Sequence, residues 1–379
     1  MRALRPRPRC APRPPACVSA HPLLSLFRAA ARLLLLAVPV CWGTYNPSLR
    51  FLYSQPHAPS PGELSAARLA IAVLPYLPTL FALIAGAAAQ RDAERGGAAR
   101  GAGDTTDWLA VTGASLELGG FNFVGTACQA WGLAHTSAVH AGVLLSSINV
   151  LVPVGAALSG DKLRPVTWLA CAMVLAGIAV LNSGSGVAAL ASGESALELA
   201  LSPGDAAVLA AALSYSAYTV RLGAYAKRMP ALPLSAGKTA VLAVGCMAWA
   251  AAEFAGGWAE PSAAASGAFL FAAPGEAPLD APAAAAARAA TWAAVTYSAL
   301  VPGAFATWLQ ARGQSGVSAP EAQVILALTP VVSIIIAGAV LGEEVGPNVW
   351  EGGAIMLSAS LLCVAADVLR DLNRAPDAQ

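Results

Sequence analysis

From Leu118 to Gly160 the chain runs without a single Asp, Glu, Lys or Arg. A hydrocarbon core of about 30 Å takes roughly 20 apolar residues per helical crossing, so this one stretch is long enough for two. Leu69–Gln90, Pro165–Gly193, Ala289–Ala311 and Ala322–Gly342 are also free of charge. Charged residues are only 11% of the chain and hydrophobic ones 57%, which leaves a soluble domain far too much apolar surface. The stretches are rich in Ala, Leu, Val and Gly and lack the alternation of a membrane barrel, so helices are expected. The fold class read here is all-α integral membrane, with the lipid bilayer as first partner.

The pattern predicts ten helices, over about 30–53, 64–89, 108–133, 137–158, 165–185, 204–226, 236–255, 289–311, 319–341 and 348–369. Residues 256–288 read as an Ala/Pro/Gly-rich loop. A shift of 182 residues lays Gly160-Asp161 on Gly342-Glu343, Pro165 on Pro347 and Trp168 on Trp350. The chain then divides into a leader 1–29, a five-helix unit 30–185, a linker 186–203, a second five-helix unit 204–369 and a tail 370–379. An odd number of crossings per unit turns the second upside down, giving ten transmembrane helices as two inverted five-helix repeats. Charge follows that topology. Arg91, Arg95, Arg100, Lys162, Arg164, Lys227, Arg228, Arg312, Arg370 and Arg374 fall on one side, while Glu194, Glu198, Asp205, Glu260, Glu276, Asp280, Glu343 and Glu344 fall on the other. The positive-inside bias then places both termini on the cytoplasmic or stromal side. The leader holds seven arginines in residues 1–32 and no acid before Glu63. It reads either as an organelle transit peptide, with a plastid envelope as destination, or as a basic tail that orients the first helix.

The stretches "GGFNFVGTACQAWGLAHTSAVHAGVLLSSINVLVPVGAALSGDKL" and "SGVSAPEAQVILALTPVVSIIIAGAVLGEEVGPNVWEGGAIMLSASLLCV" resemble the two EamA domains of the drug/metabolite transporter superfamily. Trp42-Gly43 and Arg68 fit the same pattern in the first repeat. The resemblance covers about residues 30–369 and is weak over the sixth to eighth helices. It implies a ten-helix inverted-repeat carrier with a central cavity between the halves. It also implies export or exchange of small metabolites such as amino acids, nucleobases and nucleotide-sugars. Pro330 lies twelve residues before Gly342 but Pro153 only seven before Gly160, so the two prolines are not repeat equivalents.

Ionisable and polar residues within the spans are the candidates for substrate contact. Glu117, deep in the third helix, is the candidate for a coupled proton or a substrate amine; the alternative is a carboxylate paired with a neighbour. Asn122 and Gln129 are seven apart and share a face of that helix. Ser146, Asn149 and Pro153 line the fourth helix; Gln323, Thr329 and Pro330 are their counterparts in the ninth, and Gln310 ends the eighth. For each, an interhelical hydrogen bond is the plainer reading. Trp42, Tyr45 and Asn46 suit packing or ligand stacking, while His135 and His140 read as interfacial. Asp161 and Glu343 read as turn residues. Arg68, Arg221, Lys238 and Arg312 are the cations able to reach inward.

The seven scattered cysteines have no metal or disulfide spacing, and no cofactor, metal or nucleic acid is expected. No phosphate loop or catalytic cluster stands out, so the chain is not read as an ATP-driven pump or an enzyme. The middles of the fourth and ninth helices lack Lys and Arg, which disfavours sugar phosphates. The expected partner is a small-molecule metabolite, with a coupled proton through Glu117; the oligomeric state is left open. The rival is a non-transporting membrane scaffold or sensor on the same fold.

Overall fold

A computed structural model describes residues 21–53, 59–95, 106–135, 144–145, 147–161, 163–182, 202–256, 282–341 and 346–373, all of them helical or in short turns. The expected leader up to residue 20, the tail beyond Asn373, Lys162, His140, Ser146 and the Glu343-Glu344 turn lie outside the described residues.

The N-terminal half contains α1 (His21–Gly43), α2 (Tyr45–Tyr53), α3 (Pro61–Val73), α4 (Leu77–Arg95), α5 (Trp108–His135), α6 (Ile148–Leu158) and α7 (Pro165–Asn182). The C-terminal half contains α8 (Pro203–Ala226), α9 (Ala231–Gly256), α10 (Pro282–Ser298), a π-helical segment (Ala299–Phe305), α11 (Ala306–Gln314), α12 (Ala319–Leu326), α13 (Thr329–Leu341) and α14 (Pro347–Asn373). Among the described residues, four stretches are long and apolar enough to cross a bilayer: Leu26–Leu49, Pro61–Arg95, Ala231–Ala255 and Ala319–Val340. Ile148–Leu158 and Pro165–Val180 are shorter apolar helices. The chain is an all-α bundle with the character of an integral, multi-pass membrane protein.

Several expected helices are interrupted, and proline accounts for it. Proline has no N–H to give the carbonyl four residues earlier. Between α3 and α4 a 3-10 turn (Leu74–Tyr76) forms around Pro75, and Leu74 N–H takes the Ile71 carbonyl instead. Pro330 cannot serve the Leu326 carbonyl, so the Thr329 hydroxyl does, at 2.6 Å, and the helix breaks between α12 and α13. Pro302 sits in the π segment. Pro153, by contrast, stays buried inside an unbroken α6. The α1–α2 break precedes Pro47. Three helices also start five or more residues earlier than expected: α1 at His21, α9 at Ala231, and α10 at Pro282 in what read as loop.

The turn after α6 has its own logic. Gly160 takes φ 95°, a left-handed conformation that glycine adopts without penalty. Asp161 N–H then reaches the Ala156 carbonyl and Gly160 N–H the Ala157 carbonyl, both at 3.0 Å, closing the helix in a Schellman motif.

Packing between the halves follows a reciprocal pattern. α1 lies against α11, α12 and α13, while α8 lies against α5 and α6. α3 pairs with α9, α6 with α12 and α7 with α14. Glycines permit the closest approaches, as small residues do between membrane helices. A Cβ on Gly177 of α7 would lie 2.8 Å from the Gly352 carbonyl of α14. One on Gly119 of α5 would lie 2.9 Å from the Lys238 carbonyl of α9.

Candidate functional site

Pro302 has no N–H for the Ser298 carbonyl, the π segment turns the Gly303 N–H to it instead, and Arg68 of α3 adds a side-chain donor. Its guanidinium donates to the Ser298 carbonyl at 3.2 Å, to the Ser298 hydroxyl at 3.0 Å and to the Tyr45 hydroxyl at 3.0 Å. The guanidinium also lies over the Tyr45 ring, 4.4 Å from its centre. Two more carbonyls of the π segment receive side-chain donors: Trp42 Nε1 reaches Pro302 at 3.0 Å and the Tyr76 hydroxyl reaches Ala304 at 2.7 Å. A broken helix is thus held by three side chains of the N-terminal half. Trp42 otherwise packs among Val38, Leu309 and Leu326, which is the packing role.

The second polar centre lies between α8, α9 and α11. Lys238, 1% exposed, donates to the Tyr218 hydroxyl and sits 4.4 Å from the centre of the Tyr218 ring. The Tyr218 hydroxyl donates in turn to Gln310 Oε1 at 3.0 Å; Gln310 is 2% exposed. One helical turn on, Gln314 is fully buried, and neither end of its amide has a hydrogen-bond partner among the described residues. The buried hydroxyls of Ser115 and Ser235 are unpartnered in the same way. Ser235 is three residues before Lys238 on α9, and Ser115 Oγ lies 2.2 Å from where Gly237 would carry a Cβ.

The remaining candidates fall into separate groups rather than one cluster. Glu117 is paired: Arg221 of α8 donates to it through Nε and, at 2.8 Å, through Nη2, and the Tyr225 hydroxyl donates to the same carboxylate. The pair is open to its surroundings, with side-chain exposures of 46% for Arg221 and 30% for Glu117. Gln129 accepts from the Tyr215 hydroxyl at 3.0 Å, and Thr126 approaches the same hydroxyl at 3.3 Å. The Asn122 carbonyl accepts from Thr126. Asn149 accepts from Gln323 Nε2 at 3.2 Å, joining α6 to α12. Thr329 serves its own helix break. Arg312 is exposed, with its guanidinium over Phe27. His135 is exposed and stacks on Trp131.

Reading from sequence passed over Tyr215 and Tyr218 as well as Gln314. It also passed over the buried ion pair of Arg32 and Glu321, in which Nε and Oε1 are 2.8 Å apart. A repeat signal was available. Leu64-Ser65-Ala66 and Arg68 recur 170 residues on as Leu234-Ser235-Ala236 and Lys238. Tyr45 recurs as Tyr218 at a shift of 173. A shift of 184 lays Val111-Thr112, Leu116, Gly119 and Phe121 on Val295-Thr296, Leu300, Gly303 and Phe305. Each match is short, and the shifts differ from the 182 of the later helices because the intervening loops differ in length.

Most described side-chain bonds between distant helices cross from one half to the other: Arg32–Glu321, Trp42–Pro302, Arg68–Ser298, Tyr215–Gln129, Arg221–Glu117 and Gln323–Asn149. Among the described residues no group of His, Cys, Asp and Glu could hold a metal ion.

No curated protein matches the chain. Among solved structures 24 chains match. One, described only as "Crystal structure of protein", is 18% identical with a TM-score of 0.57, over 89% of this chain and 98% of its own. That likeness speaks to the fold alone. The model of the EamA-like transporter family matches residues 29–183 and, a second time, residues 202–365. Over most of its length, and twice in succession, the chain belongs to the EamA-like transporter family.

Proposed function

We propose that the protein is a secondary carrier of small polar organic metabolites, built as ten membrane crossings in two inverted five-helix repeats. The family gives the general transport role. The observation that carries the finer reading is the reciprocal packing. If α1 corresponds to α8, α3 to α9, α5 to the α10–α11 rod, α6 to α12–α13 and α7 to α14, the main contacts between the halves exchange: α1–α11 with α8–α5, α1–α13 with α8–α6, and α3–α9, α6–α12 and α7–α14 each with itself. A two-fold axis in the membrane plane produces that exchange, and alternating access then follows as rocking of one half against the other. The polar contacts between the halves are the ones such a motion would break and remake.

Glu117 is the candidate for proton coupling. Its charge holds Arg221 and Tyr225 of α8, so a proton arriving on the carboxylate loosens a contact between the halves. Asn122, Gln129, Asn149, Gln310, Gln323 and Thr329 remain candidates for substrate contact. Both termini on the cytoplasmic or stromal side is the orientation that the loop charges favour.

Uptake or counterflow by the purified chain in liposomes tests the reading. Saturable movement of some members of a metabolite panel is expected, and none from folded, inserted protein would contradict it. Glu117→Gln should flatten the pH dependence of transport; a variant with the full wild-type pH profile would remove the coupling step.

A further inference from the structure

We propose that Lys238 is the anchor for a carboxylate of the transported solute, which makes small organic acids the substrate class. The proposal rests on the carrier reading above and narrows it.

The argument starts from the cost of a buried ammonium, which in hydrocarbon is tolerated only where pairing or a watery cavity offsets it. Three other cations within the described helices are matched. Arg32, 6% exposed, meets the Glu321 carboxylate. Arg221 meets Glu117. Arg68 meets a backbone carbonyl and two hydroxyls. Lys238 is 1% exposed, and among the described residues its hydrogen bond goes to one phenol, with no carboxylate paired to it. A lysine ammonium has three donors, so two are left to point at something else.

The surroundings fit a carboxylate. Gln310 is committed to Tyr218, but Gln314, one turn further along α11, has an amide whose Nε2 is free to donate. The Ser115 and Ser235 hydroxyls, buried on α5 and α9, are further donors in the same layer of helices. A carboxylate accepts about four hydrogen bonds, and an ammonium, an amide and hydroxyls can supply them. A single compact point charge suits one carboxylate; a phosphate dianion would favour the planar fork of arginine or a second cation. The repeat sharpens the choice. Arg68, at the position matched by the 170-residue shift, spends its donors on Ser298 and Tyr45, whereas Lys238 gives one to Tyr218.

The test uses the full chain purified in detergent and measures its melting temperature with lactate, glutamate, phenylalanine and 3-phenylpropionate, each against its primary amide. A ligand bound only by the folded form raises stability with concentration. At least one acid should raise the melting temperature while its amide does not, and Lys238→Gln should require at least tenfold more of that acid for the same shift. Equal stabilisation by acid and amide, or by no acid in the panel, overturns the proposal; this comparison needs no variant, so it stands even where K238Q fails to fold. A folded Lys238→Met chain that keeps wild-type response to the acid also overturns it. Liposome uptake separates the two readings. Acid binding through Lys238 without uptake supports the site and contradicts the carrier, while uptake of neutral solutes that ignores Lys238 leaves the carrier and overturns the site.

Discussion

At the positions matched by the 170-residue shift, Arg68 and Lys238 each lie 4.4 Å from the centre of a tyrosine ring, Tyr45 and Tyr218 respectively. From there they diverge. Arg68 is bound to both the carbonyl and the hydroxyl of Ser298, at the start of the π segment that carries Pro302. Lys238 ends on a phenol whose hydroxyl donates a hydrogen bond to Gln310 Oε1. The first arrangement closes a broken helix, and its donors are spent on structure. The second keeps a buried cation beside polar groups with bonding capacity to spare. The family model matches both halves, and what differs between them is where the donors of the two cations go.

The reference for a fully matched cation is Arg32. Glu321→Gln should cost about 3–5 kcal/mol, the penalty for stranding a buried charge, read as a large fall in melting temperature. Replacing both partners with apolar residues of similar size should recover most of it. Arg68→Gln should cost roughly 2–3 kcal/mol, because three hydrogen bonds to a charged group are lost. Lys238→Met should be neutral or raise the melting temperature, since no partner is stranded. Equal losses at Arg68 and Lys238 would erase the distinction between them. Glu117→Gln should change stability least, by less than about 1 kcal/mol, because the pair it breaks is substantially exposed.

Much of this was legible in the sequence. Charge-free apolar runs gave the helices and the membrane, because lipid leaves the backbone few alternatives. The breaks were harder. A proline announces a missing donor but not who replaces it: Thr329 does so locally, while Ser298 is served by a residue 230 positions away. The polar candidates illustrate the same limit. Gln310, Gln323 and Asn149 were visible as polar residues in apolar helices, but their partners depend on how the halves interleave. Glu117 looked isolated along α5 and is paired only because α8 packs beside it. Lys238 was noted merely as a cation able to reach inward, although its repeat relation to Arg68 was present in the sequence.

The most direct measurement is counterflow of a radiolabelled organic acid by the purified chain in liposomes, with wild type and Lys238→Met compared at equal, verified insertion. Saturable exchange in the wild type, reduced at least tenfold in the variant, is the predicted result. No exchange of any acid or neutral metabolite by inserted wild-type protein would contradict the account.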